Sequence, residues 1–242
     1  MGKRKRRYLV SVLFLISFIF VGCGNGDIVD SSDGTDEWKV FISGVKKEFD
    51  TEVGEIIVRD DSTKEICIIE GNDRDKIKVN IDEENKKIVI ENKKQWMSSA
   101  EKMKININVP IGYLEIENGN FKLDILEQKK EFKGLFKCGL TGNIEFSKAD
   151  EVELNIKGAG NIKLSGEVKN TDINIKGGAN IDGLDLKTDR AIVHINGVSN
   201  VSINVSDVLD ANLKGVGQIL YKGNPKLRES IDGLGKVEKF KE

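Results

Sequence analysis

A nine-residue motif recurs along the second half of the chain, and this repeat constrains the fold more than any other feature. Most copies read apolar-x-apolar-x-Gly, a short turn, and then an amide followed by an apolar residue. Successive copies are 18, 19, 20, 18 and 18 residues apart when they are aligned on their third residues, which are Cys138, Ile156, Ile175, Ile195, Leu213 and Ile231. A fixed period with a variable loop is typical of a solenoid, in which each unit buries its apolar stripe only against its neighbours.

The period inside each unit is two, which indicates strands and excludes a helical solenoid. We therefore expect the third residues of the copies to form an internal column. A second internal column is predicted from Ile162, Ile181, Val201, Ile219 and Val237. Each buried side chain of this size contributes roughly 1.5–3 kcal/mol, so these columns should dominate stability.

Two polar or small positions recur with the motif. Glycines occupy the predicted corner, where a positive φ or a close backbone approach is expected; they are Gly158, Gly177, Gly197, Gly215 and Gly233. Amides follow the corner and predict a stacked structural ladder; they are Asn143, Asn161, Asn180, Asn200 and Gln218. The alternative is a row that binds a ligand or metal, but asparagine supplies no negative charge for a cation.

The first half of the folded part also alternates with period two, for example at Ile77, Val79 and Ile81. We expect residues 38–113 to form strands paired in hairpins and residues 114–242 to form the solenoid repeats. Residues 93–102 are less regular and predict a loop. Residues 38–242 are expected to make one continuous domain, and no long amphipathic helix is predicted in them.

The N-terminal end has the layout of a secretory signal. Residues 3–7 are all basic, an apolar run extends from Tyr8 to Val21, and Gly22 precedes Cys23. Phe20-Val21-Gly22-Cys23 resembles a bacterial lipobox, although leucine is usual where Phe20 stands. That resemblance implies cleavage after residue 22 and a diacylglycerol on Cys23. An ordinary secretory signal and an uncleaved anchor are the alternatives.

Residues 23–37 are rich in Gly, Ser, Asn and Asp, so they predict a flexible acidic tether. The chain carries 38 basic and 40 acidic residues, and removing residues 1–22 takes away five basic residues and no acid, leaving a net charge of −7. That balance argues against nucleic acid as a partner. Export permits a disulfide between Cys67 and Cys138, but each lies at an apolar strand position, and two buried free thiols are expected instead.

The Gly-x-Gly-Asn-Ile repeats resemble the bacterial family of putative auto-transporter adhesins with a head GIN domain. The resemblance covers roughly residues 38–242, and its most specific part is the closing segment from Tyr221 to Val237. It implies an exported protein, often a lipoprotein, with an all-β fold that is a single-stranded, right-handed parallel β-helix. Leu140 stands where a corner glycine is usual, and Ala179 and Ser199 replace the second glycine of their copies. The family name implies adhesion, but it brings no ligand and no catalytic residue to transfer.

No catalytic cluster is recognisable in the sequence. His194 is the only histidine and points outward if its neighbours point inward, and no His/Cys group has metal-ligand spacing. Cofactors and metals are therefore not expected. Lys157, Lys176 and Lys214 share one outward column with Asn196 and Asp232, which predicts either a solvated face or a stripe that meets anionic wall polymers.

These features together predict a non-enzymatic lipoprotein, anchored outside the cytoplasm at the cell surface or the periplasmic face of a membrane. Its expected partners are the membrane, through the lipid on Cys23, and a wall polymer, glycan or protein. One alternative is a carbohydrate-active β-helix enzyme, which would need two or more acidic residues in an outer groove. Another is a structural or stress protein of the envelope.

Overall fold

The computed structural model describes residues 37–43, 54–61, 63–70, 77–92 and 103–241. These residues contain strands and no helix, so the protein is all-β. The strands are β1 Trp38–Ser43, β2 Gly54–Val58, β3 Cys67–Glu70, β4 Ile77–Asp82, β5 Lys87–Asn92, β6 Met103–Ile107, β7 Ile111–Gln128, β8 Phe132–Ile156, β9 Ala159–Lys222 and β10 Lys226–Lys239. No described helix is long and apolar enough to cross a membrane.

All ten strands belong to one curled sheet, in the order β10-β9-β8-β7-β1-β5-β4, with β2, β3 and β6 joined to it through β7. The pairing of β7 with β8, β8 with β9 and β9 with β10 is parallel. The three strands β7, β8 and β9 are 18, 25 and 64 residues long. Their backbone stays extended, and each repeat lies beside the preceding repeat. We call each such unit of 18–20 residues a coil.

Alternate side chains of every coil point into a single core. The first internal column is buried at Ile156, Ile175, Ile195 and Leu213, and the second is buried from Ile162 to Ile219. The core begins at Trp38, and every described strand lies between Trp38 and Lys239. The described contacts of the folded unit therefore lie within residues 37–241.

The first repeat copy is aligned differently from the sequence-based prediction. Phe136 lies beside Ile156, since Lys157 N–H donates to Phe136 O over 2.7 Å, and Phe136 is fully buried. Cys138 instead lies opposite Gly158. The prediction that Cys138 heads this column is wrong by two residues, because a two-residue slip keeps every side chain on its own face and leaves the alternation unchanged.

The N-terminal strands continue the sheet more often than they form hairpins. The predicted hairpin exists at β4 and β5, which are antiparallel, and β3 is antiparallel to β6. However, β1 and β2 make parallel pairs with β7, which corrects the expectation of hairpins throughout. The boundary placed between residues 113 and 114 falls inside β7. The loop predicted at 93–102 lies outside the described residues.

The two ends of the sheet differ. Antiparallel strand β4 forms the end near the N terminus. At the other end, β10 pairs with β9 along one edge only, and Ile231, the last member of the first column, is 42% exposed. This residue corrects the expectation of an internal column that runs through every copy, because no further coil lies over it.

Cys67 and Cys138 are unpaired and buried, as expected. Burial raises the pKa of the Cys67 thiol to about 12 and that of the Cys138 thiol to about 12. Because the thiolate is the reactive form, neither thiol is a nucleophile at neutral pH.

Candidate functional site

The outward side chains just before the corner form a continuous surface, which we call the polar face. It is built from the stretches 151–157, 170–176, 190–196, 208–214 and 226–232, and the parallel register stacks each position on its counterpart in the next coil. Alternation explains this arrangement, because each polar residue lies between two residues of the core columns. The coil spacing of about 4.8 Å sets the distance between stacked positions.

An ionic and aromatic cluster lies where the polar face continues onto β7 and β8. Tyr113 Oη donates to Glu115 Oε2 over 2.9 Å, and Lys137 Nζ lies 2.8 Å from Glu115 Oε1 and 2.5 Å from Glu117 Oε1. Burial raises the pKa of Tyr113, and the hydrogen bond to Glu115 raises it further. Burial opposes ionisation of Glu115, but hydrogen bonds from Lys137 and Tyr113 lower its pKa overall. The cluster therefore holds Glu115 as a carboxylate.

An aromatic pair adjoins this cluster. The rings of Phe41 and Tyr113 are 5.4 Å apart and tilted by 45°. Lys87 Nζ lies 5.0 Å from the centre of the Phe41 ring, within the range of a cation–π contact. The pair is not predictable from local sequence patterns, because β1 and β7 are far apart in sequence and meet only through parallel pairing.

Two carboxylates stand side by side in the middle of the polar face. Glu153 and Asp172 are register partners on adjacent strands. Glu153 lies 2.7 Å from Lys133 Nζ, and its pKa is lowered on balance, since hydrogen bonds from Lys133 and Asn155 outweigh its burial. Burial raises the pKa of Asp172, and the charges of nearby acidic residues raise it further, against a partial offset from His194. The two carboxyl groups thus differ in acidity.

A shallow groove of about 500 Å³ runs along the polar face beside these carboxylates. Its lining includes the exposed His194 together with Asn174, Asn212 and Ser230. Lys176 and Lys214 form its border with the corner. In the part of the chain that the structure describes, Lys157, Lys176 and Lys214 make no ion pair and no side-chain hydrogen bond.

The predicted corner glycines stack on one another. A Cβ at Gly177 would lie 2.2 Å from Gly158 O, and a Cβ at Gly215 would lie 2.2 Å from Gly197 O. Gly177, Gly197, Gly215 and Gly233 have positive φ. The first of the series, Gly158, would bring a Cβ to 2.1 Å from Cys138 O.

The side chains that replace the second glycine of a copy point inward. Ala179 and Ser199 are both buried, and Ala179 N–H donates to Ser199 Oγ over 3.1 Å. Leu140 is also buried. These positions therefore keep the corner closed without a glycine.

The amides after the corner make direct contacts between coils. Asn180 Nδ2 donates to Asn161 Oδ1 over 2.9 Å, and Asn200 Nδ2 donates to Asn180 Oδ1 over 3.1 Å. Gln218 Nε2 donates instead to Glu238 Oε1 over 2.6 Å. Asn143 lies opposite Lys163 and donates to Asp124, so the two-residue slip of the first copy removes it from the row of amides.

Within the described ranges, no three His, Cys, Asp or Glu residues are grouped closely enough to hold a metal ion. Cys23, the signal segment at 1–22 and most of the 23–37 tether lie outside the described residues.

Solved structures of similar fold come from other bacteria. A putative adhesin from Bacteroides fragilis is 21% identical with a TM-score of 0.69, and the match covers 84% of this chain and 93% of that one. A putative lipid binding protein from Parabacteroides distasonis is 19% identical with a TM-score of 0.58, covering 85% and 93%. A putative adhesin from Parabacteroides merdae is 18% identical with a TM-score of 0.56, covering 86% and 93%. At these identities the likeness shows the fold.

No curated protein matches the chain. The family model described as "Putative auto-transporter adhesin, head GIN domain" matches residues 52–225. This match includes β2 to β9 and the polar face up to residue 214, and it confirms the resemblance carried by the repeats. The chain belongs to the putative auto-transporter adhesin, head GIN domain family.

Proposed function

We propose that this protein is a non-enzymatic lipoprotein, held outside the cytoplasm by a lipid on Cys23, that uses its sheet as an adhesive surface. Family membership is the observation that carries the proposal. We further propose that the stacked parallel coils form a single-stranded, right-handed β-helix. A rigid stack of this kind presents a long surface that does not have to be ordered on binding, which lowers the cost of association.

The polar face is the surface that we assign to adhesion. It combines amides, carboxylates and lysines in fixed columns, and such groups make the hydrogen bonds by which glycans and polar protein surfaces are recognised. The half-buried Phe41–Tyr113 pair at one end adds an apolar element. The proposed partner is therefore a wall polymer, a glycan or an envelope protein that lies along the coils.

Binding of residues 37–242 to purified cell-wall sacculi and to whole bacterial cells tests the adhesive role. We expect His194→Ala combined with Asn212→Ala to weaken binding, because both residues line the groove on the polar face. The matched control combines Ser202→Ala with Asn204→Ala, two residues that follow the corner of the coil that contains His194. Wild-type protein that binds neither sacculi nor cells would contradict the adhesive role.

The anchor has its own test. In the full chain, Cys23→Ser removes the sulfur that would carry diacylglycerol. We expect the variant to leave the membrane fraction and the wild type to show the mass of a lipid-modified chain. A variant that stays in the membrane fraction, beside a wild type without added mass, would contradict lipidation.

The pair Glu153 and Asp172 favours a second candidate, a carbohydrate-active enzyme. Glycoside hydrolysis uses two carboxyl groups of different acidity on either side of the scissile bond. A raised pKa at Asp172 beside a lowered pKa at Glu153 has that pattern. Release of reducing ends from wall polysaccharides by the wild type, and its loss in Asp172→Asn, would establish this candidate in place of the first.

A further inference from the structure

An exposed apolar ridge runs along the corner at the open end of the sheet. It consists of Val198, Val216 and Leu234, which are 66%, 46% and 80% exposed. Each is the middle residue of a corner, so the stacked corner glycines place the three side chains one coil apart on the outside of the turn. The equivalent positions in earlier coils are the smaller Ala159 and Gly178, so the ridge is confined to the last coils.

The ridge makes no contribution to the core that would explain its apolar character. The core of these coils is closed by other residues, including Leu213 and Ile219, which are buried. Water-exposed valine and leucine at three successive corners, where polar residues would serve a turn equally well, indicate a surface that meets an apolar phase.

A row of lysines runs toward the ridge from the preceding coils. Lys157 and Lys176 lie two residues before the middle of the corners that precede the ridge, and Lys214 lies beside Val216 in the ridge itself. None of the three lysines has a carboxylate partner in the described residues. Several lysines elsewhere on the surface are paired, for example Lys163 with Asp185 at 2.7 Å. Asn196 and Asp232 take the same column beside Val198 and Leu234, and the row from 157 to 232 has a net positive charge because it holds three lysines and one aspartate.

The groove on the polar face completes the arrangement. Lys176 and Lys214 stand on the corner side of this groove of about 500 Å³, whose lining also holds amide and hydroxyl groups and the carboxylate of Asp232. A polar groove with ammonium groups on its border fits a phosphate headgroup, and the adjoining ridge fits the start of its acyl chains.

From this geometry we propose that the corner ridge, with its flanking lysines, docks on the surface of a bilayer that contains anionic phospholipids. Unpaired lysines gain from the negative surface potential, and apolar side chains gain from leaving water. A second copy of the chain fits less well, because a symmetric contact would set the lysine rows against each other and because Glu229 occupies an internal position of the last coil. The proposal does not depend on a lipid at Cys23.

Co-sedimentation of residues 37–242 with vesicles tests this proposal. One vesicle preparation contains phosphatidylcholine alone, and the other contains phosphatidylcholine with phosphatidylglycerol. We expect binding to the anionic vesicles only, and a loss of about fivefold in affinity for each lysine replaced in Lys157→Gln, Lys176→Gln and Lys214→Gln. Val198→Ser, Val216→Ser and Leu234→Ser together should lower affinity by about tenfold or more.

Matched controls separate the ridge from general charge and apolarity. Lys129→Gln, Lys130→Gln and Lys148→Gln remove the same charge from exposed positions away from the ridge, and Leu126→Ser removes an exposed leucine on β7. Circular dichroism and thermal unfolding establish that each variant is folded. Equal loss in the control and ridge variants, no binding to anionic vesicles, or self-association abolished by the ridge variants would each overturn the proposal. Adhesion to sacculi would be untouched by any of these results.

Discussion

At the scale of single residues, the stacked corner glycines carry the tightest steric constraint. Gly215 has φ of +123°, and a Cβ there would lie 2.2 Å from the backbone oxygen of Gly197. A side chain would therefore force two coils apart as well as strain its own backbone.

We expect Gly215→Ala to lower the free energy of unfolding by about 2–4 kcal/mol, because strain and the clash with backbone act together. Gly178→Ala is the matched control, since its Cβ would lie 3.6 Å from Val198 O, an ordinary contact, and its φ is not in the left-handed region. Urea unfolding of both variants measures the difference. Equal stability of the two variants would contradict the stacked-corner account.

Asp172 gives a pH dependence whose sign follows from its raised pKa. The folded state holds the Asp172 proton more tightly than the unfolded chain does. The stability due to the protonated group is therefore fully present below the pKa of an unfolded aspartate, about 4, and is lost as pH rises through the higher folded pKa. At neutral pH the ionised carboxylate is a net cost.

We expect Asp172→Asn to raise Tm at neutral pH and to lose this advantage near about pH 3. Asp150→Asn is a control of opposite sign, because a hydrogen bond and the charge of Lys169 lower the pKa of Asp150. Thermal unfolding across this pH range checks both variants. A lower Tm for Asp172→Asn at neutral pH would show that its carboxylate is stabilising.

At the scale of elements, β10 is an exposed strand edge with an acidic residue in an internal column. Glu229 is the register partner of Ala211, which is fully buried. Inward-pointing charges on edge strands oppose edge-to-edge association, because a second sheet would bury the charge. Glu229 thus opposes the pairing of another sheet with this exposed edge.

We expect Glu229→Val to strengthen self-association by at least about tenfold, since it completes the internal column at the open end. Glu167→Val makes the same chemical change on an exposed outward position of β9 and serves as the control. Sedimentation velocity over a concentration series measures the association. Monomeric Glu229→Val at all concentrations would show that another feature protects this edge.

Element identity was predictable from the sequence, but part of the register was not. Alternation fixes which residues face inward, and Ile156, Ile175, Ile195 and Leu213 are buried as expected. Alternation cannot detect a slip of two residues, so the alignment predicted from the repeats places Cys138 at the position that Phe136 occupies in the structure. The Phe41–Tyr113 pair and the Glu153–Asp172 pair required the register between strands, which local pattern does not contain.

At the scale of the whole molecule, stability should fall from the capped end to the open end. In a stack of repeats each coil is stabilised mainly by its neighbours, so a terminal coil with one neighbour opens first. β1 lies between β5 and β7, and β4 closes that end of the sheet, whereas β10 has only β9 beside it. Ile195 is 2% exposed in the middle of the stack and Ile231 is 42% exposed at its end.

We expect amide hydrogens of β10 to exchange fastest among the paired strands of β8, β9 and β10, with protection rising toward β8. Ile195→Ala should lower the free energy of unfolding by about 2–5 kcal/mol, because it leaves a cavity in the core. Ile231→Ala should lower it by under about 1 kcal/mol, because the Ile231 side chain is already exposed to solvent. Hydrogen exchange and urea unfolding measure the two effects. Equal protection along the stack would mean that the sheet unfolds as one cooperative body. Equal destabilisation by the two alanine substitutions would mean that Ile231 is packed as tightly as Ile195, which would contradict an open end at β10.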